Sequence, residues 1–143
     1  MVYYGRFTTE KCLMKGDDMA NIQFGRVQLR IMQILWGKKR ANAREIADAL
    51  NKTAPIAHST VQTLLRKLEA KGAIDHDIDD RTFIFYPLVE AENVTRYRTK
   101  DFLDTMFGGS PVGMVSYLLK NEKLSPEELK EIRKLINEKG HDR

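Results

Sequence analysis

Apolar residues return at helical spacing from Phe24 to Trp36. Phe24, Val27, Ile31, Ile34 and Leu35 share one face with Met32 beside them, and Gly37 is placed to end the helix. A second, shorter period, "AREIADAL" at 43–50, turns Ile46, Ala47 and Leu50 inward. In the loop "NKTAPIA", Pro55 keeps Ala54 out of helical geometry. A third helix, "HSTVQTLLRKLEAKGAI", begins at His58 with Ser59 or His58 as its cap. It buries Val61, Leu64, Leu65 and Leu68 at i, i+3, i+4, i+7, and Gly72 is its stop. The period then shortens. Ile74 and Ile78 flank acidic positions, "DDR" makes a turn, and "TFIFYPLV" is rich in β-branched and aromatic residues, so residues 74–89 read as a β-hairpin.

Three helices followed by a hairpin within about 65 residues is the element order of a winged helix-turn-helix. After Pro87 the helical period resumes. One helix over Glu90–Phe107 carries Val94, Tyr97, Leu103, Met106 and Phe107. "GGSP" breaks the chain at 108–111, and a helix over Val112–Lys120 carries Val112, Val115, Leu118 and Leu119. Ser125-Pro126-Glu127-Glu128 is a capping box that opens a last helix with Leu129, Ile132, Leu135 and Ile136 inward. These stripes are narrow, and the three helices are too few to enclose a core of their own. Their apolar face most simply meets its copy in a dimer. The fold class expected is mainly α with a small β-hairpin: a leader over 1–20, a winged helix-turn-helix DNA-binding domain over 21–89 and a helical dimerisation region over 90–143. Regular patterning begins only after Met19, which is an alternative start.

Charge changes the picture by where it lies. The net of +4 over 143 residues says little, but residues 26–71 carry ten Lys/Arg against three Asp/Glu, a net of +7. Nucleic acid is a fitting partner for such a block. The polar face of the third helix sharpens this. The second helix of a helix-turn-helix enters the major groove, where short polar side chains near its N-terminus can approach base edges. Ser and Thr can bond phosphates or bases, Gln can pair with adenine, and Arg or Lys one or two turns later suits phosphate or guanine. His58, Ser59, Thr60, Gln62, Thr63, Arg66 and Lys67 meet that demand in type and order. Lys38, Lys39, Arg40 and Arg44 are either backbone contacts that fix register or parts of a solvated turn. Arg81 at the hairpin tip is placed to touch a phosphate or enter a minor groove, but Asp75, Asp77, Asp79 and Asp80 surround it, so the wing is expected to contribute weakly.

Enzyme chemistry finds no foothold. The three histidines, His58, His76 and His141, form no HExxH, and there is no GxSxG and no glycine-rich phosphate loop. No zinc spacing appears, "HDIDD" at 76–80 reads as a hydrated turn, and no cofactor or metal is expected. The lone Cys12 allows no internal disulfide and points to a reducing, cytoplasmic setting. No run reaches the roughly 18 apolar residues that a membrane span needs.

Three segments in order, "FGRVQLRIMQILWG", "AREIADAL…HSTVQTLLRKLEAKGAI…FIFYPLV" and "FGGSPVGMVSYLLKNEKLSPEELKEIRKLI", resemble the penicillinase-repressor family of bacterial regulators (the BlaI/MecI/CopY type), over about residues 22–137. The resemblance implies a homodimeric winged-helix repressor that binds double-stranded DNA at an inverted-repeat operator. It places Thr60, Gln62, Thr63, Arg66 and Lys67 where the family's recognition helix contacts DNA. In one branch of the family a membrane sensor metalloprotease releases the repressor by cutting an Asn-Phe bond in its C-terminal helices. Tyr117-Leu118 stands there in this chain. The copper-responsive branch uses a C-terminal cysteine cluster, whereas this tail reads "NEKGHDR". Gly25 stands where the family usually has a capping Thr or Ser. A different class of function shares the fold, a winged-helix adaptor for protein assembly, which has no need of the +7 block.

Overall fold

The computed structural model describes residues 22–141, so the leader expected over 1–20, with Cys12, lies outside the described residues. They form two compact units, one ending at Thr99 and the other beginning at Lys100.

The first unit contains α1 (Arg26–Lys38), β1 (Ala41–Asn42), α2 (Ala43–Asn51), α3 (His58–Ala70), β2 (Ile74–Asp79), β3 (Thr82–Pro87) and the start of α4 (Ala91–Phe107). The hairpin expected over 74–89 is part of a three-stranded antiparallel sheet in the order β1-β3-β2. Its third member is a two-residue strand, Ala41 and Asn42 paired with Phe85 and Ile84. So short a strand has no alternation for a sequence to display.

Helix α1 buries Gln28, Ile31, Met32 and Leu35, while Val27 and Ile34 are only half-buried; Phe24, expected on the helix, is buried just ahead of its N-cap Gly25. The inward stripe thus includes a glutamine. Gln28 tolerates burial because its Oε1 accepts from the Gly25 N–H at 2.9 Å and from Lys71 Nζ at 2.8 Å. The glutamine thereby supplies half of a capping box at an N-cap glycine that has no side chain to supply the other half. Gly37 does not end the helix, as the sequence led us to expect. The turn comes two residues later, at Lys39 (φ 73), whose N–H donates to the Leu35 carbonyl at 2.7 Å.

Helix α2 is capped by Asn42, whose side chain accepts from the Glu45 N–H at 2.8 Å while the Glu45 carboxylate accepts from the Asn42 N–H at 3.1 Å. Asn51 staples the turn between α2 and α3. Its Nδ2 donates to the Ala47 carbonyl (2.8 Å), and its Oδ1 accepts from the Ile56 N–H (2.8 Å). Ile46, Ala47 and Leu50 of α2 and Val61, Leu65 and Leu68 of α3 are buried in one core with α1 and the root of the sheet. This is the packing that the apolar spacings of the three helices required, except that Leu64, expected inward, is only half-buried against the core. Helix α3 ends at Gly72 (φ 82). The Gly72 N–H reaches the Glu69 carbonyl at 3.0 Å and the Ala73 N–H reaches Leu68 at 3.0 Å, a Schellman turn that feeds β2. Trp36 Nε1 donates to the Val89 carbonyl at 2.9 Å and ties the end of α1 to the segment that leads into α4.

The second unit is helical: the end of α4, then α5 (Pro111–Asn121) and α6 (Pro126–His141). Gly108 and Gly109 both take left-handed conformations at the break that "GGSP" marks. Ser110 caps α5 by accepting from the Gly113 N–H (2.9 Å). The capping box at Ser125 and Glu128 forms with both hydrogen bonds (2.7 and 3.0 Å). No described residue of this unit is buried. Met106, Val115, Tyr117, Leu118, Leu119, Leu135 and Ile136 are exposed, and Tyr97 (at the end of the first unit), Leu103, Phe107, Leu129 and Ile132 are half-buried. Among the described residues no helix is long and apolar enough to cross a membrane.

Candidate nucleic-acid interface

Helix α3 carries most of the expected contacts. At 100° per residue, with Val61, Leu65 and Leu68 buried, the outermost positions are Ser59, Thr63 and Arg66. His58 and Gln62 turn to one flank, and Thr60 and Lys67 to the other. All seven are exposed. The helix begins one residue too early for His58 or Ser59 to cap it. Ala57 is the N-cap and makes no side-chain cap hydrogen bond. The backbone N–H groups of the first turn therefore have no side-chain acceptor, which suits the end of a helix that meets phosphate. The Thr63 hydroxyl donates back to the Ser59 carbonyl at 3.0 Å, and its oxygen keeps acceptor capacity.

The Gln62 flank faces a groove. Arg44 at the start of α2, His58, Gln62 and Arg66 of α3, and Arg81 on the wing line a single open concavity of about 630 Å³, with Phe83 and Phe85 along its β3 wall. Five of the nine expected DNA-binding residues, drawn from three separate elements, are thus brought together. Ser59, Thr60, Thr63 and Lys67 are not among the groove's lining.

Part of the +7 block does other work. Arg30 donates to the Leu50 carbonyl at 3.4 Å and to Thr53, at the C-terminus of α2. Lys71 donates to the Gln23 carbonyl and to Gln28. Arg40 pairs with Asp77 and lies over the Tyr86 ring, 5.1 Å from its centroid. These three cations clamp the fold. Arg44, Arg66 and Lys67 stay exposed on the α2–α3 surface.

The wing's acidic positions also differ from expectation. Asp75 is buried, and its Oδ1 accepts from the His76 N–H at 2.8 Å. His76, far from being hydrated, is buried, holds Glu69 of α3 through Nδ1, and stacks on Phe83 with centroids 4.0 Å apart. With Asp75 inside and Asp77 paired to Arg40, only Asp79 and Asp80 are exposed beside Arg81. Repulsion of phosphate at the tip is correspondingly smaller. Glu69, Asp75 and His76 are the group of possible metal ligands found among the described residues, their ligand atoms within 4.8 Å of one another. Their hydrogen bonds to each other account for the arrangement.

Arg81 sits in a strained place. Asp79 pairs with Thr82, so Asp80 (φ 47) and Arg81 (φ 68) form a two-residue loop with both residues left-handed, the geometry that favours Asn-Gly. A long cation held there costs stability, as residues kept for contact often do. Arg81→Gly is expected to raise stability by roughly 0.5–1 kcal/mol while weakening DNA binding. Denaturant unfolding and a binding titration check the two signs. A variant that loses stability would mean the turn is not strained, and unchanged affinity would remove Arg81 from the interface.

The comparisons with known proteins decide the family. Residues 24–138 match the family model described as the penicillinase repressor. The chain belongs to the penicillinase repressor family. Among its relatives, the penicillinase repressor of Bacillus licheniformis is 29% identical over 116 residues, 81% of this chain and 91% of that one. The methicillin resistance regulatory protein MecI of Staphylococcus aureus (strain N315) is 29% identical over 122 residues, 85% of this chain and 99% of that one. The solved complex of hsRosR-S4 shares the fold, with a TM-score of 0.53 over 89% of this chain and 97% of that one at 13% identity. The penicillinase repressor match runs through both compact units, so the helices after the wing belong to the family pattern as much as the helix-turn-helix does.

Sequence reasoning missed Phe83, Phe85 and Thr82 in the groove wall. The signal was present in the alternation along "TFIFYP", where Phe83 and Phe85 must share a face. Strand propensity alone does not separate the two faces.

Proposed function

We propose that this chain, a DNA-binding transcriptional repressor, acts as a homodimer that reads an inverted-repeat operator. Helix α3 lies in the major groove and the wing lies beside it. The observation that carries this reading is the groove shared by Arg44, His58, Gln62, Arg66 and Arg81, set against an uncapped α3 N-terminus. Ser59, Thr63 and Gln62 face base edges. Arg66, Lys67, Arg44 and Arg81 neutralise phosphates and fix register. The domain boundary expected near residue 90 separates the DNA-reading part from the pairing part. Tyr97, Leu103, Met106, Phe107, Val115, Leu118, Leu119, Leu129, Ile132, Leu135 and Ile136 pair the protomers in the cytoplasm. A membrane sensor metalloprotease is the partner that would release the repressor, and Tyr117-Leu118 on α5, both exposed, is the bond to inspect.

The test is a titration against the chain's own promoter region at several salt concentrations. Counterion release makes the logarithm of the affinity fall linearly with the logarithm of salt, with a slope of about −0.9 per phosphate neutralised. Lys67→Ala should flatten that slope by about one phosphate. Absence of any salt-sensitive binding would favour the winged-helix adaptor instead.

A further inference from the structure

The wing carries an apolar pad near its tip. Strand register places Ile74, His76 and Ile78 of β2 on one face with Pro87, Phe85 and Phe83 of β3 opposite them. Near the root this face is core: Ile74, His76 and Phe85 are buried. Toward the tip it runs out beyond the body of the domain, and the cross-strand pair Ile78 and Phe83 is 60% and 46% exposed. The opposite face of the same stretch carries Asp77 and Asp79 of β2 against Ile84 and Thr82 of β3, with Ile84 half-buried. The exposed apolar side chains of the wing thus share the face on which Phe83 and Phe85 wall the groove with Gln62 and Arg66.

We infer that Phe83, with Ile78 beside it, packs on the deoxyribose rings of the DNA strand that passes between α3 and the wing; this rests on the DNA-binding reading above. A nucleic-acid strand alternates phosphates with sugars whose C–H faces are apolar. Arg66 on the helix side and Arg81 at the tip match the phosphates, and Phe83 lines the same groove as both. The ring is also held ready. Phe83 stacks on His76 at 4.0 Å and 10°, His76 is fixed to Glu69 of α3, and Phe85 meets the Phe83 ring edge-on at 6.2 Å. An aromatic already locked in one pose loses little freedom on contact. A sugar contact releases no counterion and reads no base, so its contribution should be independent of both salt and sequence.

The experiment measures binding of the full chain, Phe83→Ala and Ile78→Ser to its own promoter fragment and to a random duplex of equal length, across a salt series. Ile78 has no ring partner to disturb, so Ile78→Ser decides alone if Phe83→Ala does not fold. Phe83→Ala is expected to lose roughly five- to twentyfold and Ile78→Ser about two- to fivefold. The loss should be the same on both duplexes, with the salt slope of the parent chain. A loss confined to the promoter fragment would mean a base contact, and a changed slope a phosphate contact. Unchanged affinity together with weakened self-association in Ile78→Ser would assign the pad to a second copy. Each of these overturns the sugar contact. If the parent chain shows no salt-sensitive binding, the DNA-binding reading falls and takes this inference with it. A parent that binds, with variants that bind as well, sinks the inference alone.

Discussion

A chain carrying Val115→Asp and Leu135→Asp is expected to sediment as a monomer and to bind an inverted-repeat operator roughly 10²- to 10⁴-fold more weakly than the parent. The unit beginning at Lys100 has no buried described residue, and both substituted side chains are exposed within the single chain. A helical unit of this size cannot stabilise itself while leaving Met106, Val115, Leu118, Leu119, Leu135 and Ile136 in water. A second copy is the simplest cover, because one apolar face serves both partners under two-fold symmetry. Once two reading heads are joined, the second half-site is bound intramolecularly, and the gain in avidity needs no new contact with DNA. Two carboxylates placed in that face must be desolvated to pair, so they prevent pairing. The first unit keeps its own core of Ile31, Leu35, Ile46, Leu65 and Leu68, so its unfolding transition should survive. Analytical ultracentrifugation and a titration on full and half operators check this. A double variant that remains a dimer with parental affinity would show that α5 and α6 do not form the interface.

The second large effect concerns one side chain. Gln62→Ala is expected to cost about 1–3 kcal/mol on the operator and to relax preference at one base position. Gln62 is exposed, one turn into α3, on the flank that lines the groove, with Arg66 a further turn along and Arg44 across from it. Its amide offers a donor and an acceptor together, which is what an adenine edge requires. Random DNA offers no matched edge, so the loss there should be small. Equal losses on operator and random DNA would deny Gln62 a base-reading role.

How legible all this was depended on the kind of signal. The helices of the first unit followed from apolar spacing, because burial forces Val61, Leu65 and Leu68 onto one side whatever else happens. The capping box at Ser125 and the break at Gly108-Gly109 were equally local, and both formed. Other features were decided by partners distant in sequence. Gln28 is buried because Lys71, 43 residues away, reaches it. His76 is buried because Glu69 and Phe83 enclose it, and nothing in "HDIDD" says so. Arg40, open in the sequence between a backbone contact and a solvated turn, pairs with Asp77, 37 residues away. The nine expected DNA-binding residues were chosen by type and position, but the convergence of Arg44 and Arg81 with Gln62 needed the β1–β3 pairing. That pairing rests on two residues and is invisible to a periodicity argument.

On the function proposed above, a dimer sets two copies of α3 in the major groove of one operator. Footprinting of the chain's own promoter region tests it most directly. Two protected half-sites related by a dyad are predicted, on one face of the duplex, with centres about one helical turn apart (roughly 34 Å) or a multiple of it. Protection that is uniform along the fragment, or a single half-site with no dyad mate, would contradict the account.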